Sequence, residues 1–440
     1  MRNLLFLAHR IPYPPNKGDK IRSWHLLRHL ADSFAVHLGC FVDDEDDWRH
    51  VGFLEEICAS CRFARLDPRW ARLRSLRGLA TGAPLTFPYF WDAGLAGWVE
   101  ALHRSHDIAV EFVFSSSMAP YLERRGRSAA RRIVDFIDVD SEKWAQYAES
   151  QAWPMRFIYG REGRLLADAE RRIAADADAS FFVSEAEAAL FRRRPGVPSE
   201  RVHALGNGVD LAFFAPHRDL PSPYPAGGPV LVFTGAMDYR ANVDAVCWFA
   251  REAFPLIREM DATARFFIVG ARPAPEVQRL AGDPSITVTG RVEDVRPYVT
   301  HAAVAVAPLR IARGIQNKVL EAMAMAVPVV ATPQAFEGID ADPQADLVVA
   351  GEAPAFARAA GELLADPARR RRIGEQARRR VEENYGWDRA LATLDGVLRY
   401  SRADTPSRPA PAAAPGGTAD LRLGTGRLEP DPITSVRRDR

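Results

Sequence analysis

The sequence predicts an α/β protein of two similar-sized halves, each built on a mostly parallel sheet, facing each other across a cleft and followed by a disordered C-terminal tail. Three observations predict it. Short apolar runs alternate with helix-period stretches over residues 1–214, the pattern of parallel strands joined by crossover helices. The alternation is interrupted by a segment, 215–229, that holds five prolines, and restarts at 230. Residues 401–440 contain six prolines and no aromatic residue, too little apolar surface to bury a core.

The elements follow in order. Leu4–Ala8 reads as a buried first strand, and a turn-rich loop, Arg10 to Asp19, follows it. A helix is expected from Lys20 to Asp32, with Ile21, Trp24, Leu27 and Leu30 on one face. Further strands are expected at 35–42, 109–114, 131–137, 179–183 and 201–205, with Leu165, Leu166, Ala169 and Ile173 marking a helix before the fourth of these. Residues 215–229 are the hinge. The second half shows strands near 230–234, 265–269, 285–289, 303–307, 328–331 and 346–349, then helices over roughly 353–400. Open parallel sheets bind ligands at the carboxyl ends of their strands, so the cleft is the expected site.

Composition narrows the function. The chain has 440 residues, 47% hydrophobic and 26% charged, the balance of a soluble globular protein. Lys plus Arg is 58 and Asp plus Glu is 57, a net charge of +1, which argues against a nucleic-acid binder. The first apolar run is broken by His9 and Arg10, too short for a signal peptide, and the longest apolar stretches, near 301–309 and 322–332, fall short of a membrane span. A cytoplasmic location is expected. Only four of the 58 basic residues are lysine: Lys17, Lys20, Lys143 and Lys318. In a chain pushed so far toward arginine, a surviving lysine is either kept because lysine itself is useful there or left by chance.

The most informative stretch is 308–332. A strand ends at Pro308, a loop carries Arg310 and Arg313, and Gly314 is expected to open a helix. A helix N-terminus preceded by glycine suits a phosphate. Lys318 and Glu321, three apart, share one helix face. That spacing fits a nucleoside diphosphate, with the ammonium toward phosphate oxygens and the carboxylate toward a ribose diol. The competing reading is a surface Lys–Glu pair of little energetic weight.

Gly314-x3-Lys318-x2-Glu321-Ala-x-Ala-x2-Val-Pro-Val-Val-Ala-Thr332 resembles the donor-binding signature of the retaining GT-B glycosyltransferases of family 4. Asn207-Gly208-Val209-Asp210, Phe233-Thr234-Gly235-Ala236-Met237 with Asn242 and Asp244, Ile268-Val269-Gly270 and Val288-Thr289-Gly290-Arg291-Val292 are similar to that family at matching places, over about residues 1–400. Pro14-Pro15-Asn16-Lys17-Gly18-Asp19-Lys20 and Asp138-Val139-Asp140-Ser141-Glu142-Lys143-Trp144 resemble a narrower subgroup that accompanies PEP-CTERM/exosortase exopolysaccharide systems in bacteria.

The resemblance implies two Rossmann-like domains, 1–214 on the acceptor side and 230–385 binding the sugar nucleotide, with a helix at 386–400 returning to the first. It implies a nucleotide-sugar donor, a glycan or lipid-linked acceptor, retention of configuration, and no metal or other cofactor. Carried over by position, Glu321 would bind the donor ribose and Lys318 the diphosphate; Gly235, Arg240, Gly270 and Gly314 would lie along the donor; Arg291 and Val292 would flank the base; Gly18 would sit beneath the transferred sugar. Family members often carry a second Glu eight residues before the ribose Glu, and here that position is Arg313. Arg313 is therefore expected to serve the phosphates or an anionic sugar.

Asp135, Asp138 and Asp140 follow the strand Arg132–Phe136 at its carboxyl end, where a carboxylate could orient an acceptor hydroxyl or steady an oxocarbenium charge. Asp138 is preferred as the catalytic group, and Asp140 or Ser141 is expected to cap the next helix. Lys17, Lys20 and Lys143 are assigned to the acceptor side. The second half shows no Asp-x-Asp at a strand end, and Cys58 and Cys61 lack a second ligand pair, so no metal site is expected. Arginines and apolar residues alternate from Arg69 to Leu79, and Phe87-Pro88-Tyr89-Phe90-Trp91 follows. Such a segment can lie on an anionic membrane surface, or face a core with its arginines outward. A sugar-nucleotide epimerase of the same architecture and a non-catalytic sugar-nucleotide-binding subunit remain the alternatives to a glycosyltransferase.

Overall fold

The computed structural model describes residues 1–399 except 16, 124–128, 150, 217–218 and 313–314. The tail 401–440, Arg313 and Gly314 thus lie outside the described residues. Seven parallel strands form the first sheet: β1 (Arg2–Ala8), β2 (Phe34–Val42), β3 (Ser60–Arg65), β4 (Ile108–Phe114), β5 (Arg131–Ile137), β6 (Ala179–Phe182) and β7 (Val202–Ala204), in the order β3-β2-β1-β4-β5-β6-β7. Six more form the second: β8 (Val230–Thr234), β9 (Arg265–Val269), β10 (Ile286–Gly290), β11 (Val304–Ala307), β12 (Val329–Ala331) and β13 (Val348–Val349), in the order β10-β9-β8-β11-β12-β13, again parallel. The strand order reverses at β1/β4 in one sheet and at β8/β11 in the other, which opens a crevice at each carboxyl edge.

The period-2 alternation of the strands divides the first core into two layers. Leu5, Leu7, Phe41 and Val113 pack on one face of the sheet; Leu4, Phe6, Ala8, Val36, Leu38 and Phe112 pack on the other. The helix Trp387–Arg399 brings Trp387, Leu391 and Leu394 into that second layer. It arrives beside Gly208, where a Cβ would stand 2.7 Å from Trp387, so the crossing tolerates no side chain there. Val209 donates to Tyr385 O at 2.7 Å in the same place.

Two expectations need correction. β3, Ser-Cys-Arg-Phe-Ala-Arg, is missing from the sequence reading; as an edge strand it carries two arginines and no apolar run. The helix of the 308–332 stretch is Asn317–Ala324, so Gly314 does not open it: Gln316 is still extended, with φ −90° and ψ 103°.

Candidate active site

The second-half edge is built by two glycines and one buried amide. Gly235 follows β8 and Gly270 follows β9, with φ of 154° and 158°. A Cβ on Gly270 would lie 1.6 Å from Gly235 O, so this close approach requires glycine. Asn242, buried on the helix Arg240–Trp248, donates through Nδ2 to Ala236 O at 2.8 Å. Its Oδ1 accepts from Lys318 Nζ at 2.6 Å. The ammonium also stands 4.6 Å from the centroid of the Phe233 ring. Asn242 falls within a motif of the resemblance, but no role follows from its sequence, because a lone amide in a helix pattern carries no such signal.

Lys318 and Glu321 project from the Asn317–Ala324 helix, whose other face buries Val319, Leu320 and Met323. Burial lowers the Lys318 pKa to about 8, with Glu321 opposing the shift. Burial raises the Glu321 pKa to about 7, with Lys318 opposing it. Both groups thus titrate close to neutral pH, a balance that a charged ligand would bias. Arg240 lies exposed at the first turn of its helix. Arg310 pairs in a fork with Asp244, Nε to Oδ2 at 3.0 Å and Nη2 to Oδ1 at 2.5 Å. Gly290, with φ 70°, ends β10; Arg291 follows it and reaches Asp46 of the first half at 3.6 Å, while Val292 is half-buried.

The first-half edge keeps its charges paired. His9 Nε2 stands 3.3 Å from Asp19 Oδ2, and Arg10 binds Asp19 at 2.9 Å and Asp43 at 3.0 Å. Burial alone would raise the Asp19 pKa, but His9 and Arg10 outweigh it and hold the carboxyl below its usual range. Lys17 is half-buried and extended before the helix Gly18–Ala31, and Gly18 is exposed with open space where a Cβ would be. Lys20, assigned by sequence to the acceptor side, turns inward instead: its buried ammonium meets Asp47 Oδ2 at 2.9 Å.

The three aspartates part company. Asp135 is fully buried and held in a fork by Arg22, at 2.7 and 3.2 Å. Arg22, itself fully buried, also donates to Leu205 O at 2.7 Å and Asn207 Oδ1 at 3.0 Å. Beyond it, Ile137 sits at φ 71°, a conformation that β-branched residues rarely adopt. This conformation turns the chain just before Asp138. Asp138 accepts from Lys143 Nζ at 2.7 Å, and Asp140 accepts from the same nitrogen at 3.2 Å. Burial would lower the Lys143 pKa, but Asp140 and Asp138 raise it; burial raises that of Asp140, against Lys143.

The cap expected from Asp140 or Ser141 comes from elsewhere. Buried Glu170 accepts from Ser141 N at 3.1 Å and Ser141 Oγ at 2.5 Å, and from Arg194 at 2.8 Å. A signal existed for it: Glu170 falls at the core spacing of Leu166 and Ile173, where an acid is out of place.

Two family models match the chain, the glycosyl transferase 4-like domain at residues 20–208 and the glycosyl transferases group 1 domain at 228–366. A GDP-mannose-dependent alpha-(1-6)-phosphatidylinositol monomannoside mannosyltransferase of Mycolicibacterium smegmatis is 32% identical over 330 residues, 70% of this chain and 81% of that protein. Sucrose-phosphate synthase of Thermosynechococcus elongatus shares the fold with a TM-score of 0.64 at 18% identity, covering 91% of this chain and 98% of that one. Anabaena HepE, solved with UDP and glucose, does so with a TM-score of 0.61 at 13% identity over 90% and 99%. WaaG, a glycosyltransferase of lipopolysaccharide biosynthesis, gives a TM-score of 0.61 at 13% identity over 90% and 100%. Two facing Rossmann-like halves with a lysine–glutamate crevice define a GT-B glycosyltransferase acting on nucleotide sugars. The chain belongs to family 4 of these enzymes, the group 1 glycosyl transferases.

Proposed function

We propose that this enzyme moves a sugar, with retention and without a metal, from a nucleotide sugar to a glycan or lipid-linked acceptor in bacterial exopolysaccharide synthesis of the PEP-CTERM/exosortase type. The observation that carries the donor reading is the Lys318–Asn242 contact beside Gly235, with Glu321 one turn away. Lys318 has an amide as its hydrogen-bond partner there, which leaves its charge for a diphosphate. A leaving diphosphate gains charge in the transition state, and fixed protein cations can stabilise it. Residues 230–385 would then hold the donor, with Gly235, Arg240, Gly270, Arg291, Val292, Lys318 and Glu321 along it, and 1–214 the acceptor. The sequence of the mannosyltransferase relative favours GDP-mannose as the first donor to test, and HepE favours UDP-glucose as the second. Thermal-shift screening of nucleotide sugars identifies the donor, since a specific ligand raises apparent stability by mass action. Anomeric analysis of the product then tests retention. Unchanged turnover in EDTA is expected; complete loss restored by magnesium or manganese would reject the metal-free reading.

We further infer contact with the cytoplasmic face of the inner membrane. Among the described residues no helix is long and apolar enough to cross a bilayer. In the helices Pro68–Ser75 and Arg77–Thr81 and at Leu76 between them, however, Trp70, Leu73, Leu76 and Leu79 are 69%, 56%, 48% and 45% exposed, beside exposed Arg69, Arg72 and Arg77. Apolar side chains pointing outward among arginines fit an anionic surface better than the core-facing alternative. Co-sedimentation with phosphatidylglycerol vesicles, lost in a Trp70→Ser, Leu73→Ser variant, tests it.

A further inference from the structure

We propose that the helical hairpin Asp140–Glu149 and Met155–Asp176 carries an acceptor subsite, in which the second sugar ring of an oligosaccharide packs on Trp144 and Tyr159 while the terminal sugar reaches Asp138 and Lys143. The proposal rests on the glycosyltransferase reading above, with the first sheet's edge as the acceptor side.

The hairpin is held close and fixed at its cleft end. A Cβ on Gly163 would stand 3.1 Å from Ser141 O and 3.2 Å from Ala145 N, and one on Gly160 3.9 Å from Ala148 Cβ, so the two helices run antiparallel in near contact. Glu170 pins the first turn through Ser141, as described. Beside this contact, three aromatic rings meet. The Trp144 and Tyr159 centroids are 5.1 Å apart at 60°, those of Trp144 and Tyr147 6.1 Å apart at 89°, and those of Tyr147 and Tyr159 6.5 Å apart. The cluster lies outside the hydrophobic cores: Tyr147 is 54% exposed, and Trp144 and Tyr159 are half-buried. Rings of this size are ordinarily spent on cores and interfaces, so three of them gathered at the surface mark a binding face.

Charge and spacing select the occupant. Asp138 and Asp140 share the single ammonium of Lys143, so the cluster beside the rings holds one carboxylate more than it has cations, which disfavours an anion and offers acceptor oxygens to hydroxyls. A neutral ligand rich in hydroxyls fits. A pyranose has one face of C–H bonds and a rim of hydroxyls, which suits an aromatic plane bordered by the indole N–H, phenol O–H and carboxylate groups. Asp140 and Trp144 share a helix face four residues apart, about 6 Å of rise. That is close to the length of one sugar unit, so a ring on Trp144 is one unit behind a ring at Asp140, whose carboxylate shares Lys143 with Asp138.

The test is an acceptor series of octyl glycosides of glucose, mannose, maltose and mannobiose, with the donor that gives the largest thermal shift. Wild-type kcat/KM should be at least about tenfold higher for a disaccharide glycoside than for its monosaccharide, the scale of an aromatic contact of about 1.4 kcal/mol. Trp144→Ala should bring that ratio near one while transfer of the sugar to water is unchanged, and Trp144→Phe should keep most of it. Tyr159→Ser should reduce it partway, and provides the check if Trp144→Ala does not fold. Equal use of mono- and disaccharides by the wild type would overturn the subsite. So would equal losses for all acceptors and water in Trp144→Ala, or no transfer to any glycoside while water is still used. Absence of donor binding and of transfer to water in the wild type would instead reject the glycosyltransferase site on which the proposal rests.

Discussion

The two edges of the cleft treat their lysines in different ways. On the first-half edge every named acid has a cationic partner: Asp135 with Arg22, Asp19 with Arg10, Asp47 with Lys20, and Asp138 and Asp140 with Lys143. On the second-half edge Lys318 is hydrogen-bonded to an amide, and burial moves both Lys318 and Glu321 toward neutrality. On the proposed assignment, the edge that meets the diphosphate keeps a cation whose charge the ligand completes, and the edge that meets a neutral hydroxyl holds its own charges in place and positions one carboxylate. The same residue type therefore behaves differently on the two sides: buried Lys20 is ion-paired with Asp47, and half-buried Lys318 is hydrogen-bonded to the Asn242 amide.

The comparison breaks most visibly if the scaffold pairs are cut. Arg22→Ala would leave Asp135 buried and unpaired, and removing one partner of a buried pair costs about 3–5 kcal/mol. Urea unfolding should show a loss on that scale; a change below about 1 kcal/mol would mean that the Asp135 site relaxes to admit water. Next in size is Asp138→Asn, which keeps the shape and removes the charge while Lys143 retains Asp140. Turnover should fall about 10²-fold, the range of positioned acid–base groups, with donor affinity nearly unchanged. Asp140→Asn should cost less. The reverse ranking would move the catalytic role to Asp140.

Lys318→Ala should weaken donor binding by tens-fold, since a charge-assisted hydrogen bond is worth about 1.5–3 kcal/mol. Glu321→Ala should act on donor binding to a similar extent and less on turnover. Calorimetric titration with the nucleotide sugar measures both, and wild-type affinity in the two variants would remove the second-half edge from the donor site.

The contrast between the edges was only partly legible in the sequence. Alternation and the proline segment located twelve of the thirteen strands among the described residues, because buried parallel strands are continuous apolar runs. β3 escaped since an edge strand lacks that run. Lys318 and Glu321 could be paired because helix spacing alone puts them on one face. Arg22 with Asp135, Lys20 with Asp47 and Glu170 with Ser141 are separated by 113, 27 and 29 residues, and no local pattern joins partners that only the sheet order brings together. Ile137 gave no warning either, because isoleucine at a strand end looks ordinary until its φ is known.

The smallest expected effect is the sharpest on the comparison, because it separates the edges by pH. Lys318, lowered to about 8, loses its proton as pH rises past that value, and the cation for the diphosphate goes with it. Glu321, raised to about 7, gains a proton as pH falls below that value and ceases to be a full acceptor for a ribose diol. Donor affinity should therefore peak between about pH 7 and 8 and decline on both sides, by at most about tenfold per pH unit on each limb. A nucleotide sugar has no terminal phosphate to titrate, so it is the ligand to use rather than the free diphosphate. Lys318→Arg should flatten the alkaline limb, because guanidinium stays charged throughout the range. Glu321→Gln should flatten the acid limb. The first-half edge should add nothing to the alkaline limb, since Asp140 and Asp138 hold Lys143 protonated well above it; Lys143→Arg should leave that limb where it was. Constant affinity from pH 6 to 9, or an alkaline limb that survives Lys318→Arg and moves with Lys143→Arg, would mean that the donor's charge is read from the other side of the cleft.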